Sequence, residues 1–461
     1  MKTSASLLKT PHIRSIKLLR ASVLFLAAVL AGLVMYLFVL SCDREALLLA
    51  QPGQAAVFAA VLCFAAMLPL ITERNTDAVT LLCGALAAAA LIYVRVCLFY
   101  YRSGDYNSFL VHWVEDMRPL SFSQAVRSDI GNYNAPYEIL LFLLSRTNWN
   151  SLYAIKALSC LFDILGAFYM SRLCSLYSPS VPLRTAAYLM TLALPTVWLN
   201  SSFWAQCDMV YAALCLGMLY HLLKKQGGAA VILWTLAFSF KLQAVFALPV
   251  LILGLFTRRI RLRHLAWAPA VFFAMLLPVL LGGQSLAACL QVYTDQAELY
   301  PQMHLNAPSV WVLLGHVAIE PFSRAAVFLA GAAVLLFLYL CWQLRTGLNE
   351  RLFPMLFYAC VLLVPFLLPH MHDRYFFLAD LGSLLVFLQN RRRWPLPLIT
   401  VLASYSCYRN FLMNEPAVVD IKWHAISLLA VLCWVLYTVF EEMRSSASAA
   451  AADPCKPAAE E

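Results

Sequence analysis

Charge is the scarce ingredient of this chain. Lys, Arg, Asp and Glu make up only 12% of its 461 residues, where a soluble globular domain carries about twice that share. A fully water-exposed surface around a core of this size is therefore excluded. Glycine motifs that cradle phosphates are missing as well: no GxxxxGK[ST] run occurs, and no Rossmann pattern. No basic connecting segment exceeds about twenty residues, so a soluble nucleotide-binding domain is excluded too. The 14 cysteines form no CxxC pair and sit mostly inside apolar runs. They read as small hydrophobes, and neither a zinc ribbon nor a disulfide framework is expected. No internal repeat relates the two halves, which weakens the case for a transporter built on duplicated bundles.

What is present is apolar length. Hydrophobic residues make 62% of the chain, and its mean hydropathy is +0.75. Runs near the ~20-residue spanning length recur from end to end, predicting an all-α polytopic membrane protein of about fourteen spans, some short or re-entrant. They lie near 21–41, 54–71, 78–100, 151–174, 184–199, 203–223, 228–240, 243–256, 265–281, 323–343, 352–368, 376–388, 395–411 and 422–440. The first run, 21–41, follows MKTSASLLKTPHIRSIKLLR and reads as a retained anchor behind a basic flank. Placing that flank inside also puts KK at 224–225, RRIRLR at 258–263 and RRR at 391–393 on the cytoplasmic side. The expectation is a multi-pass plasma-membrane protein with both termini cytoplasmic and long outer loops over 101–150 and 282–322. The first segment, 1–77, holds the basic flank and two extra spans. A core covers 78–390, C-terminal spans cover 391–443, and the low-complexity tail 444–461 is expected to be disordered. The net charge of +9 needs no nucleic acid, because basic loops face anionic lipid.

Ionisable residues near apolar runs are costly and so informative. SGDYNSFLVHW, from 103, places Asp105 directly after an apolar run, with Glu115 and Asp116 further along. These acids read either as loop solvation or as a base at the membrane mouth, and the rest of the loop as short interfacial helices. WAQCDMVYAALCL sets Gln206 and Asp208 at the start of a span, where a helix-capping acid explains Asp208 as well as a site does. AFSFKLQAVFALP interrupts two short apolar segments with Lys241, which reads as a buried or re-entrant cation. FLLPHMHDRYFFLADL gathers His370, His372, Asp373 and Arg374. The HxH pair is a zinc ligand pair in principle, but no companion set stands at ligand spacing, so an anion site built on Arg374 and His donors is the better fit. Asp163, mid-span in ALSCLFDILGAF, calls for a basic partner on another helix and a structural role. A carboxylate beside anion-holding cations suits transfer from a phosphorylated donor.

These motifs resemble those of the membrane-embedded GT-C glycosyltransferases. GDYNSFLVHW resembles the family's first outer-loop motif, NAPYEILLFLL its Tyr-Pro-rich segment and CLFDILGAF its acid-bearing span. FWAQCD is similar to the Trp-x-Gln-x-Asp pattern of bacterial, mannosyltransferase-related members, and FKLQAVFALP to their Lys-x-Gln segment. YPQMHLNAPSVW, with Asn306, resembles their Asn-Ala-Pro/Asn-x-Trp loop, and MHDRYFFLAD their Met-His-Glu-Arg-Tyr-Phe motif. The order matches from about residue 78 to 390, and the dolichyl-phosphate-glucose-dependent branch shares the arrangement.

The resemblance implies an inverting hexosyl transfer at the outer face. The donor would be a polyprenyl-phosphate sugar, and the acceptor a glycan, lipid or protein. Asp105 would be the general base, and Arg374, His372 and Lys241 would hold the donor phosphate. Asp208, Gln206, His370, Asp373, Glu115, Asp116 and Asn306 would support the site or the acceptor. No metal or other cofactor is implied. The sequence departs from the family where Asp373 replaces the commoner Glu, and the segment after Asp208 lacks the His-Phe-Gln-Tyr-Asn signature of the eukaryotic enzymes. A polyprenyl-linked saccharide flippase or secondary transporter, and a non-catalytic scaffold of envelope assembly, are the other readings.

Overall fold

A computed structural model describes residues 51–73, 76–128, 130–298, 302–315, 320–413 and 419–452. The expected span 21–41, its basic flank and the end of the tail lie outside these residues. Among the described residues the chain folds into nineteen α-helices joined by 3-10 and π turns, plus one two-stranded parallel pair. It is an all-α, membrane-embedded protein. Seven helices among the described residues are long and apolar enough to cross a bilayer: Pro52–Ile71, Ala78–Cys97, Ser151–Ser175, Leu262–Gly282, Phe322–Gln343, Glu350–Leu367 and Ile421–Ala449.

The other expected spans within the described residues are helical but fall short of crossing alone: Pro395–Met413 is long enough at 19 residues but too polar, and the rest are too short, for reasons visible in their sequences. The 184–199 run breaks at Leu194, whose extended backbone precedes Pro195 and separates Val181–Ala193 from Pro195–Trp198. The runs 228–240 and 243–256 become Gly227–Phe240 and Leu248–Phe256, with extended Lys241 and the 3-10 turn Leu242–Ala247 between them. Within the described part of the tail, residues 444–452 differ from their expected disorder. The last helix, Ile421–Ala452, runs on through SSASAAAA because alanine has the highest intrinsic helix propensity and the preceding turns already supply the nucleus.

The chain divides into two units, Met1–Ser108 with Asn148–Met209, and Phe109–Thr147 with Val210–Glu461. In the first, Pro52–Ile71, Ala78–Cys97, Ser151–Ser175 and Val181–Ala193 pack side by side. Gly84 admits the close approach of Thr185, whose Cγ2 would lie 3.0 Å from any added Cβ. The Tyr188 hydroxyl donates to the Ala66 carbonyl at 2.8 Å. In the second unit Phe353–Leu367 is buried almost throughout and packs against Phe377–Gln389, where Gly382 lies against the Tyr358 backbone. Polar atoms there are paired between helices, with Tyr358 to Thr400 at 2.6 Å and Ser404 to Asp380 at 2.9 Å.

The partner that Asp163 requires is Arg95. Both side chains are fully buried, and the guanidinium also donates to the Leu192 carbonyl while Ser201 donates to the carboxylate. In a low-dielectric interior such a pair is close to neutral for stability when intact, but costly to break by halves. Asp163→Ala strands a buried guanidinium and is expected to lower the unfolding free energy in detergent by about 3–5 kcal/mol. Arg95→Met combined with Asp163→Leu should restore most of that loss. An equal loss in both variants would show that packing, not charge, holds this position.

Candidate functional site

Asp105 stands where the Ala78–Cys97 helix has ended and the chain turns into the π-helical segment Tyr106–Leu110. Its place is set by backbone capture on both sides. Lys156, wholly buried on Ser151–Ser175, donates from Nζ to the carbonyls of Leu98 (3.3 Å), Phe99 (3.2 Å) and Tyr101 (2.7 Å). One ammonium thus satisfies three acceptors beyond the helix end, where a cation also complements the helix dipole. Ser103 donates to the Trp204 carbonyl at 2.6 Å and accepts from the Tyr106 amide at 3.2 Å, and the Tyr106 hydroxyl meets Ser151 at 2.8 Å.

The opposing strand of the site comes from Leu199–Phe203, another single π turn. Such turns are rare and concentrate at functional positions. Phe203 stacks on Tyr101 at 3.7 Å between ring centroids. Beyond it, Ala205 adopts φ +67°, a left-handed conformation unfavourable for a residue with a Cβ. That turn aims two donors at one oxygen: Trp204 Nε1 reaches Asp105 Oδ2 at 2.8 Å, and Gln206 Nε2 donates to the same atom. Gln206 is also held by its amide to the Asn200 carbonyl at 2.8 Å. Asp208 accepts from Asn200 Nδ2 at 2.6 Å, and its amide donates to Asn200 Oδ1 at 3.3 Å. Asp208 stands at the start of Asp208–Leu223, is 1% exposed, and is tied through these two bonds to the Asn200 side chain, which locks the turn. Asp105 itself is half-buried, so one carboxylate oxygen is fixed by N–H groups while the side chain still borders open space.

Within the second unit the remaining predicted residues fall into three groups. His372 ends, and Arg374 follows, a short parallel strand pair, His304–Leu305 with Met371–His372, extended by a bridge from Asn306 to His372. The Tyr375 ring lies 5.2 Å from that of His372, 6.4 Å from that of Phe246 and 6.0 Å from the Arg374 guanidinium. Phe246 belongs to the 3-10 turn that Lys241 opens, so both cationic segments meet at one aromatic ring. Lys241 is 6% exposed, and its Nζ lies 5.7 Å over the Tyr133 ring, a cation–π arrangement.

His370 and Asn306 are framework residues. Both have left-handed backbones. His370 Nδ1 donates to the Gln302 carbonyl at 2.7 Å, and its Nε2 meets the Ser323 hydroxyl at 2.6 Å. Asn306 Nδ2 donates to the Cys407 carbonyl at 3.2 Å. Asp373 is buried beside them. Glu115 and Asp116 sit on the exposed face of Val111–Met117, with Glu115 paired to Arg118 at 2.8 Å, an ordinary surface ion pair. Among the described residues no group of three or more His, Cys, Asp and Glu side chains stands together to hold a metal ion.

Sequence reasoning missed Lys156, Ser103 and Tyr133. A lone Lys inside the apolar run SLYAIKAL was a usable signal for the first; the other two carry none. No protein-family model matches the chain, and no curated protein does either.

The left-handed turn at position 205 makes a direct prediction. Ala205→Gly should keep the fold and stabilise it by up to about 1 kcal/mol, whereas a β-branched Val should destabilise by more than that. Thermal unfolding of the two purified variants checks the sign of each change.

Proposed function

We propose that this chain is a GT-C-type inverting glycosyltransferase that moves a hexose from a polyprenyl-phosphate donor to a glycan, lipid or protein acceptor. It would work at the outer face of the cytoplasmic membrane, within the fourteen-span topology read from the sequence. The observation that carries the reading is the Asp105 carboxylate, oriented through Oδ2 by Trp204 and Gln206 and still half-exposed. A base needs fixed direction and access together, and a merely solvated loop acid needs neither.

In the proposed reaction Asp105 takes the proton of the acceptor hydroxyl as that oxygen attacks the anomeric carbon. The new glycosidic C–O bond forms on the face opposite the phosphate. The bond from the anomeric carbon to the phosphate oxygen breaks, so configuration inverts and polyprenyl phosphate leaves with the bond's electron pair. Arg374, with its planar fork of donors, and His372 and Lys241 neutralise the negative charge gathering on that phosphate. Gln206 and Asp208 hold the base, while His370, Asn306 and Asp373 hold the His372–Arg374 segment. Glu115 and Asp116 have no part in this reading.

Incubating the purified chain with a panel of polyprenyl-phosphate sugars and scoring released polyprenyl phosphate tests the proposal. Asp105→Asn is expected to lower turnover by about 10²–10⁴-fold with the melting temperature unchanged. Full turnover in that variant, or transbilayer movement of an intact lipid-linked saccharide with no turnover in the wild type, would sink the proposal. Arg374→Ala should weaken donor binding by about 2–5 kcal/mol, the cost of leaving a desolvated phosphate unpaired. Equilibrium binding of the donor to that variant measures the loss, and an unchanged affinity removes Arg374 from the phosphate site.

A further inference from the structure

A second charged feature of the molecule takes no part in the reaction proposed above. At one end of the second unit lies a concavity of about 630 Å³ whose lining holds Lys225, Arg258, Arg261, Arg263 and Arg345, with Arg259 and His264 in its wall and no carboxylate. The five named first are exposed there.

The wall is built, not a chance crowding of side chains. Arg259 is a strut: its guanidinium donates to the Leu223 carbonyl at 3.0 Å, pairs with Glu350 at 2.8 Å and stacks over Phe353. His264 Nδ1 accepts from the Arg261 amide at 3.2 Å, closing the turn that carries Arg261 and Arg263. Gly227 permits the approach of both, since a Cβ there would meet the Arg259 carbonyl oxygen at 2.4 Å and His264 Nδ1 at 2.5 Å.

Two details distinguish this cluster from basic residues that only set membrane orientation. Lys225 (φ +58°) and Arg258 (φ +55°) both occupy left-handed positions just past helix ends. The Lys225 amide bonds to Leu222 and the Gln226 amide to His221, the hydrogen bonds of a Schellman cap. Glycine is the residue of least strain at such a position. Two long cations stand there instead, and both side chains line the same concavity. The second detail is the rim. Leu262, Trp267 and Trp342 are exposed beside it, at ends of helices long and apolar enough to cross a bilayer. Exposed Trp at a helix end marks the headgroup level of a membrane. The concavity therefore stands at the depth of lipid phosphates, and the positive charge of its five exposed cations calls for an anion.

We infer that this concavity is a binding site for the phosphate headgroup of an anionic phospholipid. The shared chemistry, a phosphate held by several guanidinium and ammonium groups, also fits a soluble phosphate, so the test separates the two sources. Native mass spectrometry of the detergent-purified full chain would count bound phosphatidylglycerol against phosphatidylcholine, with inorganic phosphate and pyrophosphate as soluble competitors. Lys225→Gly with Arg258→Gly removes two cations at positions where glycine relaxes the backbone, so folding is retained. That double variant is expected to bind phosphatidylglycerol roughly tenfold more weakly, while Lys225→Arg with Arg258→Lys binds as the wild type does. Equal retention of phosphatidylglycerol by the glycine variant overturns the site. Equal retention of phosphatidylcholine by the wild type overturns its selectivity for anionic lipid. Binding of pyrophosphate without phosphatidylglycerol overturns the lipid assignment.

Discussion

Inside an apolar bundle every charge and every backbone carbonyl beyond a helix end must find its partner within the protein, because no water is there to supply one. The first unit meets that demand with two buried cations. Arg95 neutralises Asp163 and ties down the end of Val181–Ala193 through Leu192. Lys156 gathers the carbonyls of Leu98, Phe99 and Tyr101. These two groups fix the two backbone stretches between which Asp105 is held, one running from Leu98 to Tyr106 and the other from Leu199 to Asp208. The Asp163 carboxylate reaches the second stretch through Ser201, so the helix interior and the half-exposed acid belong to one hydrogen-bonded framework.

That framework explains why Asp105 and Asp208, two acids near apolar runs, end in different states. Asp208 is sealed by Asn200 and acts on the backbone, closing the turn. Asp105 receives both side-chain donors on one oxygen and remains half-exposed. Environment, not residue type, separates a sealed carboxylate from one that stays accessible, as it does where paired acids take unlike roles.

Much of this was legible in the sequence, and the boundary of legibility is physical. Apolar runs set where helices form, and breakers such as Pro195 and Lys241 set where they stop. Asp163 announced a need for a cation, but not which cation, because Arg95 is 68 residues away and its choice depends on packing. The His304–Leu305 and Met371–His372 pairing left no trace, since two residues show no periodicity. Fourteen spans were expected and seven helices among the described residues are both long and apolar enough to cross, because hydropathy marks apolar segments without showing which of them stay continuous. Glu115 and Asp116 looked equivalent to Asp105 on the same loop. Only the amphipathic placement of Val111–Met117 shows them facing outward.

Backbone strain gives an independent map of the same places. Among the described residues five non-glycine positions take positive φ: Ala205, Lys225, Arg258, Asn306 and His370. Asn tolerates this conformation cheaply; Ala, Lys, Arg and His each cost about 1–2 kcal/mol there. None is scattered on an uninvolved surface. Ala205 turns the donors of Asp105, Asn306 and His370 brace the segment that carries His372 and Arg374, and Lys225 and Arg258 line the basic concavity. Strain persists only where surrounding contacts over-determine it, and each of these five is pinned by neighbours already paired on either side.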